Sequence, residues 1–82
     1  MNKKKLLAKV AGGSKNISFN ETVTLVEAFG FRLSRVNGSH HIFVHPEVPE
    51  LLNLQEVGGK AKPYQIRQFL RLVELYDLEL ED

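Results

Sequence analysis

The sequence predicts an α+β domain in the order α-β-β-β-α, a three-stranded antiparallel sheet with two helices on one face. Three observations predict it. Apolar residues recur at helical spacing in two stretches, 18–30 and 63–76. Between them, short runs alternate in polarity, as half-buried strands do. The pair Asn37-Gly38 separates the first two runs, and this dipeptide favours the left-handed backbone of a two-residue hairpin turn.

The chain has 82 residues and no cysteine, so it is expected to build one core without disulfides or thiolate metal sites. Its apolar runs are only a few residues long, too short to span a membrane. Lys9 interrupts the apolar part of residues 1–11, which argues against a signal peptide, so the cytoplasm is the expected location. The net charge of +1 hides a polarity. Residues 1–15 carry five lysines and no acid, whereas residues 74–82 carry five acids and no base. Residues 1–16 read as a basic flexible arm or short extra helix, 17–77 as the domain, and 78–82 as an acidic tail.

The first helix starts at Ser18, where Ser18-Phe19-Asn20-Glu21 has capping-box spacing. Phe19, Val23, Val26 and Gly30 follow helical spacing, Leu25 and Phe29 widen the stripe, and Gly30 is placed to end the helix. Residues 31–36 form the first strand and 39–45 the second, which Pro46 closes. Residues 47–50 read as a loop and 51–56 as a third strand. Gly58-Gly59-Lys60-Ala61-Lys62 is a basic glycine loop, followed by Pro63 at the first position of the last helix. Ile66, Phe69, Leu70 and Val73 make its apolar stripe, with Gln65, Arg67, Gln68 and Arg71 on the other surface.

A turn centred on Asn37-Gly38 would fix the register of the hairpin. Val36 would face Ser39, Arg35 would face His40, and Leu33 would face Ile42. Phe31, Leu33, Ile42 and Val44 would then line the core, with Arg35 and His40 at its turn end. His41, Phe43 and His45 would lie on the open face. The two outer histidines, His41 and His45, would stand ~13 Å apart, too far to share a metal. A neighbouring arginine disfavours imidazolium, and a general base requires the neutral ring. Placed there, His40 is either such a base or a strand-end histidine bonded to a backbone carbonyl.

Asn37-Gly38-Ser39-His40-His41-Ile42-Phe43, with His45-Pro46 after it, resembles the HicA toxin family. Gly58-Gly59-Lys60-Ala61-Lys62-Pro63-Tyr64 leading into Gln65–Leu70 resembles that family's glycine-lysine turn and closing helix. The resemblance covers about residues 18–76. It implies a fold like a double-stranded-RNA-binding domain and the activity of a ribosome-independent mRNA interferase, which cleaves RNA without a metal or other cofactor. It implies RNA as substrate and a HicB-like antitoxin as partner. It assigns the catalytic role to His40. Arg35, Ser39, His41, Lys60 and Lys62 are the candidate RNA and phosphate contacts. The chain departs from the family in the lysine-rich residues 1–16 and in the leucine-rich third strand. The alternative is a noncatalytic RNA-binding module of the same fold.

Overall fold

Ser18 starts the central helix with both bonds of a capping box. Its hydroxyl accepts from the Glu21 amide at 3.1 Å, and the Glu21 carboxylate accepts from the Ser18 amide at 2.9 Å. These bonds hold the Glu21 carboxyl below its ordinary pKa. A computed structural model describes residues 2–81. Its elements are α1 (Lys3–Ala11), α2 (Phe19–Ala28), β1 (Arg32–Asn37), β2 (His40–His45), β3 (Val48–Val57), β4 (Lys60–Ala61) and α3 (Pro63–Leu75). The sheet is an antiparallel meander in the order β1-β2-β3-β4, with the helices on one face. The α+β class therefore holds, with a fourth strand and an extra N-terminal helix.

Gly30 follows α2 with φ +95°, a backbone that favours glycine. A Cβ there would also lie 2.5 Å from the Glu81 carboxylate and 2.9 Å from the His45 ring. Residues 47–50 are not a loop. Only Pro46 and Glu47 make the turn, and β3 begins at Val48. Pro49 is accommodated because the β2–β3 register shifts between Phe43 and His45, and a bulge tolerates a residue without an amide donor.

The hairpin turn lies one residue later than expected, so Arg35 to Asn37 pair two residues further along β2. Asn37 pairs with His40, Val36 with His41 and Arg35 with Ile42. The turn is Gly38-Ser39, with positive φ at Gly38 and not at Ser39, the pattern of a type II′ turn rather than type I′. A two-residue shift keeps Arg35 and His40 on one face, but the β1 irregularity between Leu33 and Arg35 puts Leu33 with Phe43 rather than with Ile42. His41, Phe43 and His45 thus face the helices, and His40, Ile42 and Val44 face away. Phe43 is 1% exposed and pairs with the buried Leu52, so it belongs to the core. Ile42 and Val44, expected inside, are half-buried and exposed. A shift in β1 between Leu33 and Arg35 puts both Leu33 and Val36 on the helix side.

Phe31, Phe43 and Phe69 fill the core, with Phe69 edge-on to Phe29 and Phe31. Gln65, expected on the outer surface of α3, is buried. Its carboxamide oxygen accepts from the Gln55 amide at 2.6 Å. That amide points toward β4, which is too short to pair with it. The helix supplies the missing acceptor, so α3 turns its Gln65, Phe69 and Leu72 face inward. The Tyr76 hydroxyl donates to Glu50, a bond that raises the phenol above its ordinary pKa.

At the N-terminal side, Leu6 and Val10 of α1 lie in the core. On the other side Leu78 is buried, and the Glu81 amide donates to the Ala28 carbonyl at 2.6 Å. No helix among the described residues is long and apolar enough to cross a membrane.

A candidate active face on the open side of the sheet

The open face is built by strand alternation. Outward-pointing residues are Arg32, Arg35 and Asn37 on β1, His40, Ile42 and Val44 on β2, and Leu51, Asn53 and Gln55 on β3. Val44 is 37% and Leu51 54% exposed, so apolar side chains border the polar group around His40.

His40 starts β2 beside the Gly38-Ser39 turn and is half-buried. Its strand neighbours are Asn37 on one side and Gln55 on the other. Its Nδ1 meets the carboxamide of Asn53, 3.2 Å from Oδ1 and 3.0 Å from Nδ2. With Nδ1 protonated, the ring donates to Oδ1, and the Nε2 lone pair is left for another partner. In either orientation of its carboxamide Asn53 occupies Nδ1, which leaves Nε2 as the nitrogen that faces outward. Sequence reading passed it over. The signal was present, since Asn53 is the polar residue inside the leucine run 51–54.

Arg35 was expected opposite His40 at the core edge. It lies opposite Ile42 instead, on the open face and diagonal to His40. Diagonal neighbours stand about 7–8 Å apart, within reach of a long side chain. Ser39 is at the hairpin tip, where its carbonyl accepts from the Glu56 amide at 3.0 Å. His41 points to the helix side. Its ring packs on Phe19 at 4.7 Å between centroids, and its Nδ1 lies 3.2 Å from the Ser39 carbonyl oxygen. The structure therefore separates His41 from His40.

His45 was expected on the open face but is buried. Its Nε2 donates to the Phe29 carbonyl at 3.0 Å, and its Nδ1 accepts from the Glu47 amide at 3.0 Å. Both ring nitrogens serve the backbone, which makes this a structural histidine that closes the second hairpin.

Lys60 and Lys62 flank Ala61 at the hairpin end of the sheet, the end that also holds His40. Lys60 Nζ donates to the Lys15 carbonyl at 2.8 Å. Lys62 is the N-cap of α3 and makes no side-chain capping bond.

The family model described as HicA toxin of bacterial toxin–antitoxin systems matches residues 19–75, more than half of the chain. No curated protein and no solved structure matches the chain.

Proposed function

The chain belongs to the HicA toxin family, and from that premise we propose that it is a metal-independent endoribonuclease, an mRNA interferase with His40 as general base. As a member, it is a toxin of a toxin–antitoxin system, and membership implies a HicB-type antitoxin as its partner.

The observation that carries the catalytic reading is the placement of His40. It stands on the uncovered sheet face, with Nδ1 held by Asn53. In the reaction, Nε2 takes the proton of a ribose 2′-OH. The freed oxygen attacks the adjacent phosphorus, the P–O5′ bond breaks, and a 2′,3′-cyclic phosphate and a 5′-OH end result. The departing O5′ takes its proton from water or from the imidazolium. Arg35, on the same face, stabilises the charge on the phosphorane. The required 2′-OH makes RNA the substrate and excludes DNA. Ser39, Lys60 and Lys62 steer the backbone toward His40, and His41 shapes the hairpin end from behind.

The test is His40→Ala. A positioned general base contributes about 100- to 10,000-fold, so RNA cleavage should fall by that factor and growth arrest should disappear. Undiminished cleavage by the variant would overturn the assignment. RNA binding by a wild-type protein that cuts nothing would identify a binding module instead.

A further inference from the structure

One cavity of the molecule lies away from the open face. It measures about 610 Å³ and lies between the segment after α1, the β3–β4 hairpin and the start of α3. That volume is in the range of small-ligand pockets. Its walls are aliphatic, from Val10, Ile17, Val57, Ala61, Ile66 and Leu70. Lys15, Lys60, Lys62 and Arg67 also line it, and no acidic side chain among the described residues does. A site with apolar walls and several cations suits a ligand that has a flat apolar body and repeated negative charge.

The position narrows the ligand further. His40 pairs with Gln55 on β3, Val57 lies two residues beyond, and Val57 pairs with Lys60. Strand spacing and rise place the Val57 and Lys60 Cα atoms about 8 and 12 Å from that of His40. A polyanion seated on His40 reaches these cations within a few nucleotides. An acyl chain has only one charge for four cations.

We propose that this cavity is a nucleotide subsite, which takes a base of the bound RNA near the cleaved bond while Lys15, Lys62 and Arg67 hold the flanking phosphates. The proposal rests on the RNA reading above. One wall, residues 10–17, precedes the family match, which starts at residue 19. The bond from Lys60 to the Lys15 carbonyl ties that wall to β4. The subsite is thus a property of this chain's N-terminal segment, added to the shared domain.

The test uses the full chain carrying His40→Ala. Uridine and adenosine 5′-monophosphates are titrated into methyl-labelled protein, and a labelled RNA octanucleotide is bound by fluorescence anisotropy. Nucleotides should shift the methyl signals of Val57, Ile66 and Leu70 and leave Val44 and Leu51 unmoved. Ala11→Trp, at an exposed position lining the cavity, should weaken octanucleotide binding about 5- to 150-fold, the value of one base contact. If that variant does not fold, Lys15→Ala/Arg67→Ala should lower the salt slope of binding by about 1.4, from about 0.7 per phosphate. Unshifted methyls, or an unchanged slope, overturn the subsite. Shifts produced only by an acidic amphipathic peptide overturn it too, in favour of a protein ligand. Cleavage by the wild-type chain, measured in parallel, shows separately whether the ribonuclease reading stands.

Discussion

Asn53 offers the sharpest test of how the open face is built. Replacing it by leucine keeps most of its volume on β3 and removes the carboxamide that meets His40 Nδ1 at 3.0–3.2 Å. A neutral hydrogen bond contributes about 0.5–1.5 kcal/mol. If that bond holds the ring in the reactive tautomer, its whole value appears in the chemical step. At 1.36 kcal/mol per tenfold in rate, kcat should fall about 2- to 13-fold. The much larger loss expected for His40→Ala stays distinct from it, because the base itself remains. Single-turnover cleavage of an end-labelled RNA at saturating protein isolates the step, and KM should hardly move. Asn53→Asp supplies a control that a packing role would not pass. A carboxylate on Nδ1–H keeps the tautomer and favours the imidazolium, so activity is retained while the acid limb of the pH–rate profile moves to higher pH. An unchanged kcat in Asn53→Leu, or a loss as deep as that of His40→Ala, would refute the positioning role.

Two further outcomes follow from the packing and the helix cap. Phe43→Ala should destabilise the domain by about 3–5 kcal/mol, a large part of the ~4–12 kcal/mol expected for a domain of this size, whereas Ile42→Ala should cost about 1 kcal/mol. Urea denaturation ranks the two, and the reverse ranking would restore the face assignment inferred from sequence. Glu21→Gln should be less stable than the parent at neutral pH. Because folding lowers the Glu21 pKa, its contribution is present above the unfolded value near 4.5 and is lost as pH falls through the folded value. Thermal melts of both proteins should converge as the pH drops below 4.5, and a gap that persists in acid would rule out the carboxylate as its source.

Local chemistry was legible in the sequence wherever one residue type has one physical use. Ser18 and Glu21 marked the helix start, Gly30 its end and Pro63 the next helix, and each holds. The register was not legible, because Asn37-Gly38-Ser39 suits two turns. Either Asn37-Gly38 or Gly38-Ser39 can occupy the centre, and the choice belongs to tertiary packing. Phe43 fills the core against Leu52, because the β1 irregularity pairs it rather than Ile42 with Leu33. The irregularity in β1 hid that outcome, since alternation counted from Phe31 fails past Leu33. His40 and Arg35 share a face as the sequence suggested, but it is the face away from the helices. The burial of Gln65 was likewise hidden, because it answers a backbone amide on a strand ten residues earlier.

The seam between the two outer segments has a practical side. The Lys3 ammonium reaches the Glu81 carbonyl at 3.4 Å, and the Glu81 amide bonds to Ala28, at the end of α2 away from Ser18. His45 and Gly30 lie at this end of the sheet, and His40 lies at the other. The molecule therefore has a handle and an opposite end that carries His40. An affinity tag or fluorescent fusion joined beyond residue 2 or residue 81 emerges at the handle, so immobilised or labelled protein keeps the end that carries His40 free for assay. The same geometry gives surface attachment a defined direction, with the open face upright and accessible to solution.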